Sequence, residues 1–221
     1  CALAAALTAT GVDMEVALDK AIEVSMKVGL WERPLGLAGI WGGLIREWLD
    51  DLLPDDAHLT CSGRVTVLAI AININQPKGN PLVARARISR WEAKEDLIDC
   101  LMASCHIPWF LDGRAFARFG ANNQFWLDGS FRATRQDYAS ALADNGDACI
   151  STGVHGTTAP AIYIDPADDE RAPRDFLTLR SPEGVRSLFE LGREFARTSL
   201  LDLDLSGVDS VSESQSEVVP P

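Results

Sequence analysis

The apolar positions change their spacing along the chain, and each change predicts a different kind of element. Residues 3–10 read as an Ala-rich helix closed by Gly11. A second helix is expected over 12–28, with Val16, Ala17, Ala21, Val24 and Val28 on one face and Asp19, Lys20, Glu23 and Lys27 mostly opposite. Gly29 ends it, and 31–36, with Pro34, form a connector. A third helix over 37–53 carries Trp41, Leu44, Ile45, Trp48, Leu49 and Leu52, and Pro54 with Asp55 and Asp56 closes it. From 65 to 74 the helical spacing gives way to a nearly all apolar, β-branched run, the pattern of a central strand covered on both faces. A turn cluster at 76–81 follows. Residues 82–90 then alternate, Leu82, Ala84, Ala86 and Ile88 against Arg85, Arg87 and Ser89, which predicts an antiparallel partner for the preceding strand.

Helical spacing returns over 91–105, with Ile98, Leu101, Met102 and Cys105 inward and Glu92, Lys94, Glu95 and Asp99 outward, and Pro108 stops it. A short apolar strand from Gln124 runs into Asp128-Gly129, where a Cβ at 129 would obstruct a sharp turn. Residues 148–151 and 161–164 read as short buried strands, 165–174 as a polar loop, and 182–200 as a last helix capped by Ser181, with Val185, Leu188, Phe189 and Phe195 inward. Helices and buried strands in this order predict an α/β layered domain over 1–198, without a regular βαβ repeat. No basic residue follows Arg197, and the acidic, Ser-rich stretch 199–221 reads as a disordered tail.

Charge and cysteines narrow the function classes. The net charge is −12, and no Lys/Arg cluster offers the basic surface that a nucleic acid partner or an anionic lipid surface would require. The five cysteines show no regular spacing, which suits reduced thiols and a cytoplasmic location. No apolar run approaches the ~18–20 residues that span a bilayer. The tryptophans between 37 and 53 suit a lipid interface in principle, but Glu47, Asp50 and Asp51 among them favour a helix that packs in the core.

Candidate chemistry is sparse. Cys100, Cys105 and His106 lie close together but lack metal-ligand spacing, and no phosphate-binding glycine motif occurs, so neither metal nor cofactor is expected. The three histidines, His58, His106 and His155, carry no triad motif; His58 lies in a polar stretch and His155 in a Gly/Thr loop. The Gly-x-Ser-x-Gly nucleophile elbow is absent from these 221 residues. That leaves Asp128. A carboxylate on a turn at the end of a buried strand is a common place for a catalytic base, although an isolated Asp-Gly most often only makes a turn.

Taken jointly, the segments resemble the patatin-like phospholipase family. Ser62-Gly63-Arg64-Val65-Thr66-Val67-Leu68 is similar to that family's central strand, Ala103-Ser104-Cys105-His106-Ile107-Pro108 to its Ala-Ser-x-x-Ile-Pro helix end, and Phe125-Trp126-Leu127-Asp128-Gly129 to its Asp-Gly motif. Leu188 to Ala196 is similar to a common closing helix, and the Ser-Cys-x-Ile-Pro variant is nearest the neutral-lipid (triacylglycerol) lipase branch. Ser130 departs from the Gly or Ala of the family, and Asp112-Gly113 follows Pro108 too soon to be the match.

The resemblance implies a three-layer α/β/α domain that hydrolyses acyl esters of phospholipid or triacylglycerol with a Ser-Asp dyad. Asp128 would be its catalytic aspartate, with peripheral contact to a membrane or lipid droplet. In the family the elbow serine directly precedes an Ala-rich helix like that at 3–10. The resemblance therefore implies an N-terminally truncated domain, with the serine and the oxyanion loop lying before Cys1, and a 221-residue chain that is inactive alone. A catalytically inactive patatin-like module binding lipid or protein is the alternative.

Overall fold

The computed structural model describes residues 2–72, 82–120, 124–131, 150–151, 162–163 and 179–201. They form a mixed α/β domain around a four-stranded antiparallel sheet. The helices are α1 (Ala2–Ala9), α2 (Met14–Lys27), α3 (Trp41–Leu52), α4 (Ala57–Cys61), α5 (Lys94–Ser104) and α6 (Pro182–Leu201). The strands are β1 (Val67–Ile72), β2 (Val83–Ile88), β3 (Ala117–Phe119) and β4 (Gln124–Asp128), in the spatial order β2-β1-β4-β3. A separate two-stranded parallel pair joins β5 (Ile150–Ser151) and β6 (Ile162–Tyr163), inside the segments where strands were expected.

The continuous apolar run becomes β1, with a neighbour on each edge. Val67 faces Ile88 of β2, and Ala69 faces both Ala86 of β2 and Asp128 of β4. Residues alternate between faces along a strand, so Val67, Ala69, Ala71, Trp126 and Asp128 share one side of the sheet. Small alanines there let α5 approach closely, and Ala69, Ala71, Ala103 and Trp126 pack as one cluster. Ile70 and Ile72 on the opposite side are buried too, so both faces of β1 are covered, as its sequence predicts.

Helix α5 is the hub. It packs on β1, β3 and β4, and also against α1, α3 and α4, with α2 lying on α3. Leu97, Ile98, Cys100, Leu101 and Ala103 are accordingly buried nearly all round the helix, beyond the single stripe expected. Each fully buried Leu or Ile contributes about 1.5–3 kcal/mol of apolar burial.

Several expectations are corrected. Val16 and Val28 are exposed; α2 buries Ala17 and Val24 as expected and adds Ile22, and its contact with α3 includes Trp48, whose indole N–H donates to the Ala17 carbonyl at 2.7 Å. Helix α3 starts at Trp41 rather than 37, since Gly39 at φ +78° leaves the helical conformation and its N–H goes to the Phe110 carbonyl. Residues 57–61 form α4, so His58 lies on a helix instead of in a loop. The expected strand at 82 begins at Val83, and Leu82 is exposed. Cys105 lies just past the end of α5 and is half-buried.

The last helix begins where predicted. The Gly184 N–H donates to Ser181 Oγ at 3.2 Å, the expected N-cap. Val185, Leu188, Phe189 and Phe195 form its less exposed face, yet all remain only half-buried. The expected turn cluster at 76–81, the polar loop at 165–174 and the tail from 202 onward lie outside the described residues.

Candidate functional site

Asp128 closes β4 and is held by three sets of contacts. It pairs with Ala69 on β1, its main-chain N–H donates to the His106 carbonyl at 3.1 Å, and its Oδ1 accepts the Ser130 N–H at 2.8 Å. The last bond is an Asx turn, which fixes the carboxylate relative to its own backbone. Among the described residues Oδ2 accepts no hydrogen bond, and the side chain is half-buried. The result is a carboxylate oriented by its own turn, with Oδ2 unpartnered among the described residues.

Gly129 is required here, for a reason other than the one the turn suggests. Its φ is not in the left-handed region, and the constraint is space: a Cβ would lie 2.3 Å from the Leu68 carbonyl oxygen. The backbone after Asp128 thus rests directly on β1 before it enters the single 3-10 turn Gly129–Phe131.

The end of α5 and the loop after it form the other half of the site. Ser104 and His106 are the buried polar side chains among the described residues, 7% and 1% exposed. Ser104 Oγ donates to the Leu101 carbonyl at 2.8 Å, and His106 Nε2 lies 3.2 Å from the Arg114 carbonyl oxygen. The same carbonyl accepts the Trp109 N–H at 2.8 Å, and Asp112 Oδ1 accepts the Arg114 N–H at 3.0 Å. This loop carries Trp109 at φ +65° and 56% exposed, the one non-glycine residue with positive φ among those described. Burial pushes the Cys105 thiol above its ordinary range, against a hydrogen bond with Ser104 that lowers it, and the Asp128 charge adds to the rise.

Comparison of the chain with protein-family models, curated proteins and solved structures finds no match. The site therefore rests on geometry alone.

Other candidates are not drawn into it. Cys61 and Cys100 are free thiols in the apolar core, where burial raises both, Cys100 to about 12, so neither is a ready nucleophile. His58 is half-buried on α4 with Nδ1 unpartnered. His155 lies outside the described residues. Among the described residues no group of three or more His, Cys, Asp or Glu could hold a metal ion. An open depression along α6, lined by Arg186, Ser187, Glu190, Leu191, Glu194 and Arg197, shares no residue with the Asp128 turn. No described helix is long and apolar enough to cross a membrane.

His106 is the residue that sequence reasoning passed over. The sequence gives it no functional role, whether among the three histidines, beside Cys100 and Cys105 or within the helix-end motif, and a polar residue between Cys105 and Ile107 carries no periodic signal of burial. The available signal is its place in the Ser-x-x-Ile-Pro helix end, a segment that must pack against the Asp-Gly turn if both belong to one site.

Proposed function

We propose that the chain is part of a patatin-like acyl hydrolase of three-layer α/β/α type, acting on phospholipid or triacylglycerol at a membrane or lipid-droplet surface in the cytoplasm. Asp128 is the base of a Ser-Asp dyad whose serine lies in sequence preceding residue 1. One observation carries the reading. The two segments behind the resemblance, the Ser-Cys-His-Ile-Pro helix end and the Leu-Asp-Gly strand end, are joined by the hydrogen bond from the Asp128 N–H to the His106 carbonyl. The Ala-rich helix α1 packs on the same α5, so an elbow directly before α1 would belong to this neighbourhood of the fold.

The chemistry follows from the groups. The serine Oγ attacks the ester carbonyl carbon while the Asp128 carboxylate takes its proton. The tetrahedral intermediate collapses, and the leaving alkoxide receives that proton from Asp128. Water then attacks the acyl-enzyme with Asp128 again accepting the proton, and the acid departs as the serine is reprotonated. Stabilisation of the oxyanion requires main-chain N–H groups from outside these residues.

The test assays a short-chain aryl ester with this chain and with the same chain preceded by its own upstream coding sequence. Turnover by the longer protein, reduced by about 10²–10⁴-fold in Asp128→Asn, is the expected result. An inactive longer protein that still binds lipid vesicles or a protein would favour the binding module. Turnover by the 221 residues alone, unchanged in Asp128→Asn, would sink the dyad.

A further inference from the structure

We propose that His106 is the positioning residue for Asp128, acting through an imidazole that carries a proton on Nε2; its catalytic meaning rests on the reading of Asp128 as a base. The tautomer follows from its partner. A carbonyl oxygen can only accept, so the ring nitrogen 3.2 Å from the Arg114 oxygen must be the donor. That bond, together with the Trp109 N–H on the same oxygen, closes the base of the loop between residues 106 and 114. Closing it fixes the peptide plane of His106, whose own carbonyl receives the Asp128 N–H. Ring, loop and carboxylate thus form one chain of contacts: Arg114 oxygen to His106 ring, His106 carbonyl to Asp128 N–H, Asp128 Oδ1 to Ser130 N–H.

Burial makes the assignment sharper. At 1% exposure an imidazole costs more to bury than an apolar ring, and a satisfied polar group there marks a place where a specified geometry matters. Space-filling alone would be met by phenylalanine. The donor is what phenylalanine lacks, and glutamine can present an N–H near the Nε2 position.

The experiment has one arm on geometry and one on chemistry. In the 221-residue chain labelled with ¹⁵N-histidine, long-range ¹H–¹⁵N spectra should show His106 as the Nε2–H tautomer. Amide exchange should then show Asp128 losing at least about tenfold protection in His106→Phe, and retaining it within about threefold in His106→Gln, while the Leu101 amide is unchanged in both. In the longer protein, turnover should fall in His106→Phe and be rescued in His106→Gln. An Nδ1–H tautomer overturns the inference whether or not the variants fold, as does equal Asp128 protection in both variants. If Asp128→Asn stays active while Asp128 protection still follows His106, the base role fails and the positioning stands. If Asp128→Asn is inactive and His106→Phe changes nothing, the reverse holds.

Discussion

A Cβ on residue 129 would stand 2.3 Å from the carbonyl oxygen of Leu68 and 2.7 Å from its carbonyl carbon. Both atoms belong to the backbone of the central strand, which cannot swing aside as a side chain can. Gly129→Ala should therefore cost about 3 kcal/mol, the upper end for overpacking, by forcing β4 off β1. Ser130→Gly should be close to neutral, because Asp128 uses the main-chain N–H of Ser130 and the residue is exposed. Urea unfolding of the two variants checks the contrast.

The carboxylate itself separates stability from chemistry. Asp128→Asn keeps an oxygen for the Ser130 N–H, so its unfolding free energy should stay within about 1 kcal/mol of the parent while any base function is lost. Asp128→Ala removes the acceptor and should lose about 1 kcal/mol more than the Asn variant. Equal stability of the Ala and Asn variants would show that the Asx turn does not hold the site.

Why some of this was legible in the sequence and some not comes down to which signals are local. Strand β1 announced itself because burial on both faces leaves no polar position in it, and Asp128 because Gly129 follows a short apolar strand. Strand β3 did not, since Ala117, Arg118 and Phe119 are too few to show a period, and pairing with β4 holds them extended. Helix α4 was hidden by Pro54, Asp55 and Asp56, which read as a loop that would continue through His58. Helical spacing places Val16 and Val28 on the apolar face of α2, whereas the buried arc is set by α3, which that helix's own sequence does not contain. The burial of His106 is likewise tertiary, created when the helix end meets the Asp128 turn.

Trp109 tests local strain. An L-residue at φ +65° costs roughly 1–2 kcal/mol relative to glycine in the left-handed region. Trp109→Gly should therefore be more stable than Trp109→Ala by about 1 kcal/mol, the inverse of the order in a helix. Thermal melts followed by far-UV circular dichroism decide it, and an Ala variant as stable as the Gly variant would show that the loop relaxes.

Alkaline pH should weaken the fold through the buried thiols. Burial raises Cys100 from 9.0 to about 12. The neutral thiol is favoured in the folded state, so above pH 9 the unfolded chain has released a proton that the folded chain retains. The stabilisation is whole below pH 9 and shrinks as pH rises toward 12, at up to about 1.4 kcal/mol per unit for one thiol. Unfolding free energies at pH 8 and pH 10.5 should differ accordingly, and Cys100→Ala should flatten the slope.

The closing helix should be the most salt-sensitive element. Arg186 pairs with Asp19 of α2 at 2.7 Å and Arg193 with Glu15 at 3.5 Å, and all four side chains are substantially exposed. Such pairs contribute about 0–1 kcal/mol each, and 1 M salt shortens the Debye length to about 3 Å, which removes most of that. The apolar face of α6 is only half-buried, so little else compensates, apart from the Trp31 indole N–H donating to the Arg180 carbonyl at 2.7 Å just ahead of the helix. Helix α5 also carries ion pairs, Asp99 with Arg46 and Lys94 with Asp50, but its buried Leu97, Ile98, Cys100, Leu101 and Ala103 hold it independently of them. Moving from 0.05 to 1 M sodium chloride should speed amide exchange in α6 by about 3–10-fold and change α5 by less. Trp31→Phe should add to the effect, because it removes the uncharged anchor that salt does not screen. Uniform acceleration in both helices would mean that α6 opens only with the whole domain, and that the ion pairs do not set its docking.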